Sequence, residues 1–215
     1  MNPFVRACLR PLACSLLGAA LALPAVAQQD NPNCPLRIDH YGPYDYRTEQ
    51  DKLAVVHKFH FTNRVESLIR GESGYVGDDI SYTLKASPNH HRALVSLVRL
   101  WERTKVDPPP NVSFTVDCFF FRGIRFKPDD HIVRMLYAQY LGKRGRQEEA
   151  ARNLEAALQY AGDNPLTHYN IGLLYFDLRM FDKALVQAHT AKKLGFPRPD
   201  LEESLRKQGA WRDPE

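Results

Sequence analysis

Four histidines are the residues best suited to chemistry in this chain: His57 and His60, three apart, and the adjacent pair His90 and His91. On a helix, residues three apart lie within about 60° of one another, so His57 and His60 could share a metal ion. Ligation needs three or four assembled groups, yet neither a His-Glu-x-x-His pattern nor a supporting cysteine accompanies them. His60 also stands among apolar neighbours, which favours packed or capping histidines and predicts no metal site and no cofactor. Asp78-Asp79 and Asp129-Asp130 could serve acid–base work as carboxylate pairs, but each is better read as a helix start, where negative charge is favourable. No nucleophile elbow, phosphate loop or dinucleotide fingerprint occurs; Gly-Lys-Arg-Gly at 142–145 lacks the spacing and follows a helical pattern, not a strand. The reading is a protein that is not an enzyme. A metal-binding protein or enzyme built on His57, His60, His90 and His91 is the alternative.

Residues 1–27 have the three parts of a secretory signal. Arg6 and Arg10 give the positive start, an apolar run follows from Leu12 to Leu23, and Ala25-Val26-Ala27 is a small-x-small cleavage site. The run is shorter than the roughly 20 residues that a membrane span needs, and no later run is long enough, so no membrane span is expected after cleavage. Removal leaves 188 of the 215 residues, enough for one domain with a full core, and lowers the formal charge from +4 to +2. So small a charge gives no case for nucleic acid, and export argues against it. A periplasmic or secreted location follows. Cys8 and Cys14 leave with the signal, so Cys34 and Cys118 remain; in an oxidising compartment they could form a disulfide, with a buried free thiol as the alternative.

The elements that must position these residues repeat. Ala138, Leu141, Ala150, Leu154, Ala157 and Tyr160 fall over Gly172, Tyr175, Ala184, Ala188, Ala191 and Leu194, each pair 34 residues apart without a gap. Each unit divides into two helical patterns, joined near Gly145 in one copy and at Arg179-Met180 in the other. Earlier, His-His-Arg-Ala-Leu from 90, with Leu94, Leu97, Val98 and Trp101 on one face, and Asp117 to Pro128 make a further pair. The segment between them contains Pro108, Pro109 and Pro110, which exclude helix and predict an exposed, stiff loop.

This spacing and pattern resemble the tetratricopeptide repeat (TPR), a 34-residue helix-turn-helix unit whose copies stack into a superhelix. The resemblance rests on residues 168–196 and 137–161; Ala138, Leu141 and Ala188 depart from the usual glycine, tyrosine and larger residue. From His60 to Trp211 the chain also resembles exported proteins of proteobacteria that share these repeats, a likeness that implies no activity. The implied fold is an all-α antiparallel helix-pair solenoid with units over 91–128, 131–162 and 165–196. The implied function is a non-enzymatic scaffold of the bacterial cell envelope that binds a protein or peptide partner, with self-association as a further reading.

In that family the first helices of successive units line a concave groove. The resemblance assigns Arg92, Val95, Arg99 and Arg103 to it from unit one, Met135, Gln139 and Lys143 from unit two, and Tyr169, Leu173, Phe176 and Asp177 from unit three. One end is basic and the other aromatic, which suits an extended peptide or helix with an acidic stretch beside apolar anchors. Some cytosolic members clamp a C-terminal carboxylate. Asn170 resembles one clamp member, but the accompanying lysines are absent, so that activity is not expected.

The expected order is a signal (1–27), an extended arm (28–47), an N-terminal helix pair that reads as a degenerate repeat (48–90), repeats (91–199) and a capping helix with tail (200–215). Thr48 is the expected cap of one helix whose stripe runs from Leu53 to Ile69, and Ser87-Pro88 and Asn164-Pro165 each read as a cap before a first-turn proline. Asp200 reads as the cap of the last helix. Gly172, inside a helix where glycine costs about 1 kcal/mol, is expected where the two helices of its repeat approach most closely.

Overall fold

The computed structural model describes residues 34–36, 39–72 and 74–213. The expected signal and residues 28–33 of the arm lie outside the described residues. Ten helices and no strand occur among them: α1 (Gln50–Phe59), α2 (Asn63–Glu66), α3 (Val76–Ala86), α4 (His91–Thr104), α5 (Val116–Phe126), α6 (His131–Lys143), α7 (Gln147–Leu158), α8 (Pro165–Asp177), α9 (Phe181–Lys193) and α10 (Asp200–Lys207). Helices α4/α5, α6/α7 and α8/α9 are successive pairs, and α4, α6 and α8 pack side by side along the array. The chain is an all-α helix-pair solenoid.

Local chemistry explains where the helices begin and end. Asn164 accepts a bond from the Thr167 amide at 3.1 Å, with Pro165 at the first helical position, where its missing N–H would be unpaired anyway. Thr115 caps α5 through the Cys118 amide. Gly145, at φ +74°, supplies the left-handed residue that ends α6 while the Arg146 amide returns to the Leu141 carbonyl.

The helix pairs close over small residues. Ala138, Ala150 and Ala157 in one unit, and Gly172, Ala184 and Ala191 in the next, are buried at the same repeat positions, so backbones approach and larger side chains fill the layers between. Tyr140, Tyr175, Phe119 and Phe120 are fully enclosed, and Trp101 meets Tyr140 edge-on at 5.0 Å. Gly172 has a second neighbour besides its own repeat. A Cβ there would stand 3.2 Å from Gln187 Cβ of α9 but only 2.5 Å from Leu201 Cδ2 of α10. The terminal helix uses the notch, burying Leu201 and Leu205 against the last repeat.

Four details differ from expectation. The segment after Thr48 is two helices: Glu49, not Thr48, precedes α1, and both His60 and Phe61 amides return to Val56 before the chain extends at Thr62. Leu68 adopts φ +57°, and Ile69 is 73 % exposed, so neither continues a buried stripe. Ser87 ends α3 instead of starting α4, because His90 takes the cap and accepts from the Ala93 amide. Asp200 lies inside α10, preceded by Pro199, with no side-chain cap. The proline loop is not wholly exposed: Pro109 and Val112 are buried, and Asp107 accepts from the Val116 amide at 2.9 Å and the Tyr140 hydroxyl at 3.2 Å.

Candidate functional site

The histidines separate into different partnerships. The Ala93 amide donates to Nδ1 of fully buried His90. The proton of His90 therefore sits on Nε2, which donates to Nε2 of His57 at 2.9 Å. Both rings are neutral in this arrangement, and burial pushes His90 down to about 3 and lowers His57 as well. His60 turns away to Asp79 at 2.9 Å and stacks on Tyr82. His91 pairs with Asp130 at 2.8 Å. No group of three or more His, Cys, Asp or Glu side chains that could hold a metal forms among the described residues. The four histidines of the alternative reading do not meet at one point: His57 and His90 pair with each other, His60 with Asp79 and His91 with Asp130.

Beside the histidines lies a buried polar junction that sequence reading missed. Asn89 donates through Nδ2 to Asp45 at 2.7 Å and to Asp130 at 2.8 Å, while its Oδ1 accepts from the Tyr46 amide. Arg47 bridges Asp45 and Asp129. Burial would raise the Asp45 carboxyl, but the bonds from Arg47 and Asn89 outweigh it and hold Asp45 well below the usual carboxylate range. This junction ties the arm to the turns before α4 and α6. The only sequence signal was the parallel between Ser-Pro-Asn-His-His at 87–91 and Lys-Pro-Asp-Asp-His at 127–131.

Cys34 and Cys118 form a disulfide, with Cα atoms 5.5 Å apart across 84 residues of chain. It fastens the arm to α5.

Much of the expected groove is already engaged within the chain. Arg92 forms a two-pronged pair with Glu66, Nε to Oε1 at 2.7 Å. Arg103 donates to the Leu68 carbonyl at 3.0 Å, and Lys143 pairs with Glu102. Met135 is buried, and Tyr169 is 5 % exposed, donating to Asp200 and packing on Phe196. Arg99 and Gln139 remain exposed, and Leu173 and Phe176 are half-buried. A cleft of about 270 Å³ lies between α6 and α8, with Gln139, Lys143, Leu174, Asp177 and Leu178 among its walls. The basic end of the groove is thereby reduced: of its three arginines, only Arg99 makes no ion pair or hydrogen bond among the described residues, because Glu66 of α2 and the Leu68 carbonyl just beyond it engage the other two, which the repeat pattern alone does not reveal.

Helix pairs stacked into a solenoid, with short turns and small residues at the crossing points of the second and third pairs, define the class. Residues 141–178, from the end of α6 to the end of α8, match the family model described as TPR repeat. Repeats of this family generally mediate protein–protein interaction, and the family is typically non-enzymatic. Neither a curated protein nor a solved structure matches the chain.

Proposed function

We propose that the chain is a non-enzymatic interaction module that holds an extended peptide or a partner helix across α4, α6 and α8. The observation that carries this reading is the α6–α8 cleft, where Gln139 and Asp177 offer polar groups beside Leu174 and Leu178. Leu173 and Phe176 lie in the same repeat register and supply apolar contact. With Arg92, Arg103 and Lys143 already paired, the fitting partner is less acidic and more apolar than charge counting suggests. The module works in the periplasm or outside the cell after cleavage behind Ala27, a reading supported by the composition of residues 1–27 and by the disulfide. No helix among the described residues is long and apolar enough to cross a membrane.

Photocrosslinking in the native host tests the groove. A crosslinker at Gln139 should trap a discrete partner that one at Arg152, exposed on α7, does not; trapping of the same proteins from both positions, or from neither, would sink the reading. Light scattering separates a heterologous partner from self-association, which would raise the mass with concentration. N-terminal sequencing of the exported chain should begin at Gln28, and an unprocessed chain retained in the cytoplasm would remove the envelope assignment.

A further inference from the structure

Arg122 lies on α5 one turn after Cys118, and it is 4 % exposed. A buried guanidinium normally has a carboxylate beside it, because an uncompensated charge in the interior is costly. Arg122 has none among the described residues. Its Nη1 donates to the carbonyls of Pro35 and Leu36 in the arm, while Nε is buried without a partner. The Nε and Nη2 edge is the side of a guanidinium that meets a carboxylate through two parallel hydrogen bonds. Among the described residues no hydrogen bond engages that edge.

Arg122 borders a pocket of about 440 Å³ whose other walls are Leu36, Pro43, Lys85, Pro88, Arg125 and Phe126. Three cations face this space, and no acid lines it among the described residues. Neither Lys85 nor Arg125 forms an ion pair among the described residues, and Asp45, two residues after Pro43, is already held by Arg47, Lys127 and Asn89. Lys85 and Arg122 both lie 5.9 Å from the Phe114 ring, so their nearest soft contact is shared and does not neutralise them. Packing three like charges together without a counter-ion is unfavourable; an anion entering the pocket would relieve it.

We propose that this pocket binds a small organic acid: a carboxylate held by Arg122, Lys85 and Arg125, on an apolar stem lying against Pro43, Pro88 and Phe126. The volume is within the range of small-molecule sites and larger than an inorganic oxyanion requires. No residue of α4, α6 or α8 lines it, so the site is separate from the groove, and the disulfide at Cys34 holds one wall in place.

Calorimetric titration of the mature, oxidised protein with 4-phenylbutyrate, its amide and inorganic phosphate tests the proposal. Saturable 1:1 binding of the acid is expected, weakened at least tenfold in the Lys85→Gln/Arg125→Gln double variant, whose altered side chains are partly or fully exposed and should leave folding intact. Circular dichroism checks that the variant is folded. Absence of saturable binding, equal binding of the amide, or undiminished binding by the folded double variant would overturn the site and leave Arg122 as a clamp on the arm carbonyls. Phosphate binding as tightly as the acid would overturn the organic-acid assignment.

Discussion

Nε2 of His57 and Nε2 of His90 lie 2.9 Å apart, joined by one proton between two neutral rings that come from α1 and from the cap of α4. Protonating His57 on Nε2 sets two donors against each other there, and protonating His90 on Nδ1 sets its N–H against the Ala93 amide, so either step loses a hydrogen bond in a buried place.

Stability should therefore depend on pH above the carboxylate range. His90 has its ordinary value of 6.5 when unfolded and about 3 when folded, so below 6.5 the unfolded chain binds the extra proton. Stability is complete above pH 6.5 and is lost as pH falls from there toward 3, at up to about 1.4 kcal/mol per pH unit. His57, also lowered, acts in the same direction. The depressed carboxyls of Asp45 and Asp130 add only near and below 3.8. Urea unfolding should show a loss of about 2 kcal/mol between pH 6.5 and 5; coincident curves at the two pH values would contradict the neutral pair.

Gly172→Leu should overpack two interfaces at once. A cost of about 1–3 kcal/mol is expected, and amide hydrogen exchange in α10 should quicken along with that in α8, because Leu201 loses its notch. An unchanged melting temperature would refute the packing register.

Asn89→Ala should remove both of its Nδ2 bonds to carboxylates, from Asp45 and from Asp130. Hydrogen bonds to charged groups contribute about 1.5–3 kcal/mol each, so a loss of at least about 2 kcal/mol is expected in denaturant titration. The variant should also make the arm near Tyr46 more susceptible to protease than in the parent chain.

Cys34→Ser should release the arm from α5. Closing a loop between residues 34 and 118 stabilises by about 2–4 kcal/mol, so the variant should melt well below the oxidised parent and close to the reduced one. Equal melting of oxidised and reduced parent would show that the bond contributes nothing.

The helices of units two and three were legible in the sequence because small residues recur at one spacing, and small residues are what close helix crossings demand; the first helix of unit one was legible from its apolar face. Asn164-Pro165 announced α8, whereas Ser87-Pro88, the same kind of pair, did not announce α4, because His90 two residues later takes the cap. The break after Phe59 was not legible, since it depends on His60 leaving the helix for Asp79 and Tyr82, contacts made across 19 and 22 residues of chain. The groove was half legible. Repeat register gives its positions, but Glu66 and the Leu68 carbonyl, which engage Arg92 and Arg103, come from a short helix and the turn after it, outside the three repeats. Arg122 gave no signal at all, because a buried arginine and an exposed one look alike in a sequence.

The seat taken by Leu201 beside Gly172 sets a gauge. With α10 lying where another unit would stack, the array ends at three first helices, whose axes at 8–10 Å spacing extend across about 20 Å. An extended strand laid over them advances about 3.3 Å per residue, so a peptide held in the proposed groove would meet all three first helices over about six residues.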